Sequence, residues 1–422
     1  MRGFRDLPGG PFTLADVTVP ACLIGAEGDL ARTDLHVADG RLTDVPGPKV
    51  EMGGAMVFPC FTDMHTHLDK GHIWPRAANP DGTFDGALGA VRADSAANWS
   101  AQDVAARMDF SLRCAFAHGT ARVRTHLDSI PPQDDISWPV FSDMRGRWAG
   151  RIELQAACLI GCDRFSQDGP FAHTADLVAA HGGVLGMVTY PVPDIAERVR
   201  GFLAMAAERG LSADFHVDET MDPSSETLRV IAEAVIETGF DASVVVGHCC
   251  SLGTQETARA IDTLDLVARA GLNVVSLPMC NLYLQDRGPG TPRRRGVTLV
   301  HEMRERGIRV AFASDNTRDP FYAYGDLDMI EVMREATRIA HLDHSRDDWT
   351  EAFTTAPDAA CGWGRADLTP GSPADLVICD ARSWTELLAR PQSDRIVLRG
   401  GAAIDRTLPR YSDLDHLMEP AA

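Results

Sequence analysis

The sequence predicts an α/β protein: a (β/α)8 TIM-type barrel with a small β-sandwich domain formed from both termini. Three observations predict it. Eight short runs rich in apolar and β-branched residues recur between residues 55 and 316. Helical patterns separate them, several stopping at a glycine. The chain on either side of this stretch reads instead as short strands and turns. Alternating strand and helix implies a parallel sheet with helices outside, and eight repeats favour a closed barrel over an open sheet. No Gly-x-Gly-x-x-Gly follows the first run, which argues against a dinucleotide-binding fold.

Residues 11–58 carry partial alternation punctuated by Gly and Pro (TLADVTVPACLI, TDLHVADGRLTDV, EMGGAMVFP), so residues 1–58 form the first part of the small β domain. The barrel is expected over 59–364. Its strands are read at 55–65, 121–128, 152–160, 183–190, 212–219, 243–249, 273–280 and 309–316. Ser100-x-x-Asp103 is a capping signature opening a helix that runs to His118 and stops at Gly119. Helices at 195–208, 225–238, 254–270 and 297–306 stop at Gly210, Gly239, Gly271 and Gly307. Residues 365–422 return to β character in GSPADLVICDARSW and RIVLRGGAAID, then end in a tail.

Composition narrows the function. Of 422 residues, 60 are Asp or Glu and 40 Lys or Arg, a formal charge of −20. That balance opposes a grip on phosphate backbones, and Arg293–Arg294–Arg295 is too short to reverse it. A small, weakly charged ligand fits better. No run approaches the ~18 apolar residues of a membrane span, and MRGFRDLPGG has no apolar signal region. Ten scattered cysteines do not resemble a disulfide framework, so reduced thiols and a cytoplasmic location are expected.

In such a barrel, catalytic groups sit at the C-terminal ends of the strands. There the sequence places His65 and His67, then His216 and Glu219, then His248, then Asp315, with Gln155 on the third strand. His65 and His67, two apart in an extended chain, point the same way. With His216 and Asp315 they suit one Zn²⁺ or Fe²⁺ with a position left for water. Such a cation brings the pKa of water toward ~7, and Glu219 is then free to move protons. Each piece alone has a plainer reading: a structural His-x-His, a core His248, or Asp315 capping a helix. Cys249 and Cys250, facing opposite ways, read as buried structural thiols. His126 reads as a neighbour of the metal or as barrel filling. Lysine occurs only at Lys49 and Lys70, and strand four ends in Thr189-Tyr190, so a lysine-bridged metal pair is not expected.

Taken together, PCFTDMHTHLDK (59–70), HGTARVRTHLD (118–128), IELQAA (152–157), DFHVDE (214–219), VVVGHCCSL (244–252), PMCNLYLQDR (278–287) and the stretch 292–329 resemble the amidohydrolase superfamily, in its cytosine deaminase-like group. The resemblance implies that His65, His67, His216 and Asp315 bind the metal. It implies that Glu219 shuttles protons, that His248 orients the water and that Asp315 helps remove its proton. Gln155 would read the ring carbonyl, and Phe321 would be an aromatic wall. Asn316 stands where cytosine deaminases of this group carry a second aspartate. The Ala-Ser-Asp-Asn-x-Arg-Asp stretch resembles relatives that hydrolyse N-alkylamines from triazines, although those lack the glutamate kept here as Glu219. Relatives commonly self-associate, so a homo-oligomer is expected.

The expected function is hydrolytic deamination of a cytosine-like N-heterocycle, releasing ammonia. Two enzymatic alternatives remain. One is another aminated ring, such as isocytosine or creatinine. The other is cleavage of an N-alkylamine or a cyclic amide. A non-enzymatic binding protein would show metal without turnover.

Overall fold

The computed structural model describes residues 3–166, 169–345 and 348–418; the last four residues of the expected C-terminal tail lie outside them. The first strands are β1 (Phe12–Pro20), β2 (Leu30–Ala38), β3 (Arg41–Thr43), β4 (Lys49–Glu51) and β5 (Met56–Pro59). Eight more follow: β6 (Phe61–Thr66), β7 (Thr120–Asp128), β8 (Glu153–Leu159), β9 (Leu185–Thr189), β10 (Ala213–Val217), β11 (Val244–His248), β12 (Asn273–Ser276) and β13 (Arg309–Phe312). The chain ends with β14 (Leu376–Cys379), β15 (Ile396–Arg399) and β16 (Ala402–Ala403). Each of the eight runs read from the sequence overlaps one of β6–β13.

β6, β7 and β8 pair in parallel, as do β9 through β13. The two groups meet at both seams. Ala157 bridges Val184 and Gly161 bridges Val188, while Thr66 bridges Asp315, whose N–H donates to the His65 carbonyl at 2.9 Å. The eight parallel strands thus follow one another around a ring in chain order. Near-continuous apolar runs such as Val244–Val246 are what strands covered on both faces require.

Helices lie between the strands, with ends set by local chemistry. Ser100 accepts from the Asp103 N–H and caps the helix Ala101–His118. Gly119 ends that helix at φ +95°, where a Cβ would stand 2.4 Å from Val377 Cγ2. Only glycine suits both the left-handed backbone and the close approach. The segment after β6 carries a helix at Phe84–Asn98.

The termini do combine. β14 pairs antiparallel with β5, Leu376–Cys379 against Met56–Pro59, and β5 adjoins β1. Phe12, Leu14, Val17, Val57, Leu376 and Ile378 share one apolar core. The hydrogen-bonded path is single, β16-β15-β14-β5-β1-β2-β3 with β4 beside β1. These strands form one connected mixed sheet in which β5 serves both ends of the chain. Arg395, fully buried, fixes the terminal strands to the barrel through two 2.6 Å hydrogen bonds to Asp328. Burial alone would raise the Asp328 carboxyl; Arg395 and His118 bring it down to about 2.

All ten cysteines are free. Among the described residues, no helix is long and apolar enough to cross a membrane.

Candidate metal centre and catalytic site

Strand geometry brings the polar strand ends together. His65 lies within β6 and His67 just past it, so both imidazoles enter the ring. His65 Nε2 is 3.1 Å from His216 Nε2, and His216 Nε2 is 3.4 Å from His67 Nε2. Asp315 Oδ1 lies 3.2 Å from His67 Nε2 and 3.6 Å from His65 Nε2. Four ligand atoms at metal–ligand bonds of 2.0–2.1 Å stand about 3.3 Å apart at tetrahedral edges. The observed spacings fit that figure.

The electrostatics agree with a cation site. Burial, reinforced by neighbouring imidazoles and by Arg124 or Lys70, holds His65, His67 and His216 well below the usual histidine range. They stay neutral at pH 7, with lone pairs available. Both Asp315 oxygens are buried without a hydrogen-bond partner among the described residues. A buried carboxylate facing three neutral imidazoles is the donor set a divalent cation satisfies.

Glu219 and His248 stand beside this cluster. Glu219 Oε1 is 3.4 Å from His248 Nδ1. Burial and the Asp315 charge raise the Glu219 carboxyl well above its usual range. Asn281 joins the pair, its Nδ2 lying 3.3 Å from Glu219 Oε1 and 3.0 Å from His248 Nδ1. The Glu219 loop is anchored by Asp218, which accepts from Ser225 Oγ at 2.6 Å and from the Leu228 N–H at 3.0 Å. His248 and Asp315 hold left-handed backbones, φ +67° and +65°, the kind of strain that concentrates at functional sites.

His126 packs its ring 4.0 Å from that of His65, and its Nε2 is 3.0 Å from Asp214 Oδ1. Asp214 also accepts from Arg124 Nη1 at 2.9 Å. His126 is thus tied from below the cluster to a carboxylate that Arg124 shares.

Three expectations fare differently. Gln155 does not reach the cluster. It pairs with Arg124 across β7 and β8, two residues earlier than the His126–Ala157 pair. Its Oε1 accepts from Arg124 Nε at 2.6 Å and its Nε2 donates to the Cys361 carbonyl at 3.4 Å. The amide is engaged at both ends, at the wrong depth. Asn316 gives its Nδ2 to Asp319 Oδ2 at 2.7 Å, so one of its two N–H donors is committed inside the loop. Phe321 is held by the same Asp319, which accepts its N–H at 2.8 Å. The Phe321 ring meets Phe84 edge-on at 5.4 Å, a wall to which the segment after β6 contributes. Asn281 was missed, because nothing in the helix Pro278–Leu284 marks it until the fold places it beside Glu219 and His248.

Gly247 makes room for the first ligand. A Cβ there would stand 3.0 Å from His65 Cε1 and 3.3 Å from its Nδ1. Gly247→Ala is expected to push His65 aside and weaken divalent-metal affinity about tenfold or more. Metal titration followed by competition with a chromophoric chelator checks this; unchanged affinity would show that the ring yields without cost.

Comparison with known proteins gives the family. A family model described as the amidohydrolase family matches residues 151–404. A pterin deaminase of Rhizobium rhizogenes is 53% identical over 422 residues, covering 96% of both chains. An N-isopropylammelide isopropyl amidohydrolase of a Pseudomonas species is 21% identical, covering 77% of this chain and 78% of its own. The fold is shared with a 5-methylcytosine deaminase from Klebsiella pneumoniae, at TM-score 0.79 and 24% identity over 94% of this chain and 98% of that one. On the family match and the whole-length similarity, the chain belongs to the amidohydrolase family, as an enzyme that hydrolyses carbon–nitrogen bonds in cyclic amidines.

Proposed function

We propose that this enzyme removes the exocyclic amino group of a pterin-type ring, a 2-amino-4-oxo pyrimidine fused to a pyrazine, by hydrolysis. The observation that carries the choice of ring is the 53% identity, over nearly the whole chain, to a pterin deaminase. The cytosine-like ring expected from the sequence shares the amidine chemistry. The pterin edge is that of isocytosine, with the amino group between two ring nitrogens.

His65, His67, His216 and Asp315 would hold one Zn²⁺ or Fe²⁺. When bound, that ion supplies Lewis acidity and a water whose pKa is lowered toward ~7. The chain's own residues do the rest. Glu219, whose carboxyl burial raises well above its usual range, donates a proton to the ring nitrogen beside the aminated carbon, which becomes more electrophilic. His248, aligned by Asn281, orients the attacking water, and Asp315 accepts its proton. A C–O bond forms at C2, the C2–N bond breaks, and protons passed through Glu219 let the nitrogen leave as ammonia. Water is the only co-reactant and no electrons are transferred. Phe321 and Phe84 would pack the flat ring. On this reading, residues 59–364 carry the reaction, and 1–58 with 365–422 form the accessory β unit.

Ammonia release from pterin, isocytosine, cytosine, creatinine and N-isopropylammelide tests the proposal with metal-loaded enzyme. Pterin is expected to give the highest kcat/KM. Preference for cytosine would return the ring to the cytosine class, and isopropylamine release from N-isopropylammelide without ammonia from pterin would overturn deamination.

A further inference from the structure

If the ring is a 2-amino-4-oxo heterocycle, some donor must meet its carbonyl. Protonation of the neighbouring nitrogen and attack at C2 change the charge on that oxygen, and a donor fixed there acts where charge develops. Gln155, expected to serve, is bound to Arg124 and the Cys361 carbonyl. The Asn316 amide donates to Asp319, and the Asn281 amide is taken by Glu219 and His248. Each of these three amides is thus anchored within the protein, with at most one N–H left on Gln155 and on Asn316.

Lys70 lies three residues beyond His67, only 4% exposed. Its Nζ donates to Asp128 Oδ1 at 2.9 Å and stands 5.4 Å from the centre of the Phe321 ring, the proposed wall of the pocket. An ammonium has three N–H donors, and Asp128 takes one.

The group is held in place on both sides. Arg107, fully buried, donates to the carbonyls of Asp69 and Gly71, the two residues flanking Lys70. Asp69 Oδ2 in turn accepts from the Asp128 N–H at 2.7 Å, fixing the carboxylate that steers Nζ. Arg107 is itself clamped by Asp103, which also binds Arg76. A buried cation fixed this firmly against an aromatic wall is costly as mere filling.

We propose that Lys70 is a specificity-determining residue of this site, its ammonium donating a charge-assisted hydrogen bond to the ring carbonyl next to the nitrogen that Glu219 protonates. This rests on the pterin reading above. It makes the enzyme selective for amino-oxo rings over amino rings lacking the oxygen.

The test compares pterin with 2-aminopteridine, which lacks the 4-oxo group, in the metal-loaded wild type, Lys70→Met and Lys70→Arg. Lys70→Met is expected to lower kcat/KM for pterin about 100-fold, to leave 2-aminopteridine within about threefold of wild type, and to keep full metal content. Lys70→Arg should restore part of the pterin rate. Asp128→Asn, which loosens the ammonium without removing it, should shift selectivity the same way by a smaller factor, and it stands in if Lys70→Met does not fold. Equal losses on both substrates, or none, would overturn the role of Lys70 while leaving the pterin assignment intact. A wild type that releases no ammonia from pterin would overturn the assignment itself and, with it, this proposal.

Discussion

Glu219→Gln is expected to lower kcat for deamination about 10³-fold or more, with metal content and melting temperature unchanged. The substitution keeps shape and polarity but removes the carboxylic acid that stands 3.4 Å from His248 Nδ1 beside the cluster. General acid–base groups contribute about 10²–10⁴-fold, and here one group serves twice, protonating the ring and then passing protons to the leaving nitrogen. Burial first, and then the Asp315 charge, raise the Glu219 carboxyl well above its usual range, which favours the proton-carrying form that ring protonation requires. A glutamine can donate a hydrogen bond but cannot give up a proton. Substrate binding, read as Kd for a non-hydrolysed pterin analogue, should change far less than kcat. Retention of a tenth of the activity would assign the proton transfer to Asp315 alone.

The parts of this site that could be read from the sequence are those fixed by strand periodicity. His-x-His has one geometry in an extended chain, and a polar residue ending an apolar run marks the open end of a barrel. His65, His67, His216, His248 and Asp315 were legible for those reasons. Depth was not. The run 152–160 gave Gln155 the correct inward parity, yet pairing with Arg124 rather than with His126 sets it a layer too low. Only inter-strand register shows this, and register depends on partners 31 residues away. Asn281 and Lys70 were illegible as site residues for a related reason. One projects from a seven-residue helix, the other from the turn after β6, where spacing carries no direction. The joining of β5 to β14 brings together residues more than 300 positions apart. The sequence pattern could pair the termini as one β unit but could not say that one sheet would contain both.

His216→Ala is expected to reduce bound metal to background and to abolish turnover, for a reason the geometry of the cluster supplies. Three imidazole nitrogens and a carboxylate oxygen, each 3.1–3.6 Å from two of the others, are mutually unfavourable unless a cation or a proton lies between them. Metal binding is therefore linked to folding stability, by RT ln(1 + [M]/Kd), or about 2.7 kcal/mol when free metal is 100 times Kd. Removing His216 takes away one of three nitrogens and relieves part of the lone-pair crowding. The mutant should then lose the metal-dependent gain without suffering a large further loss. Two measurements separate this from simple misfolding. Chelation of the wild type should lower its melting temperature by a few degrees, and re-addition of Zn²⁺ or Fe²⁺ should restore it; the same treatments should leave His216→Ala unmoved. Because the two perturbations act on one linkage, their effects must not add. If chelation destabilised the mutant as much as the wild type, the stabilising metal would sit somewhere other than His65, His67, His216 and Asp315, and the assignment of this cluster would fall with it.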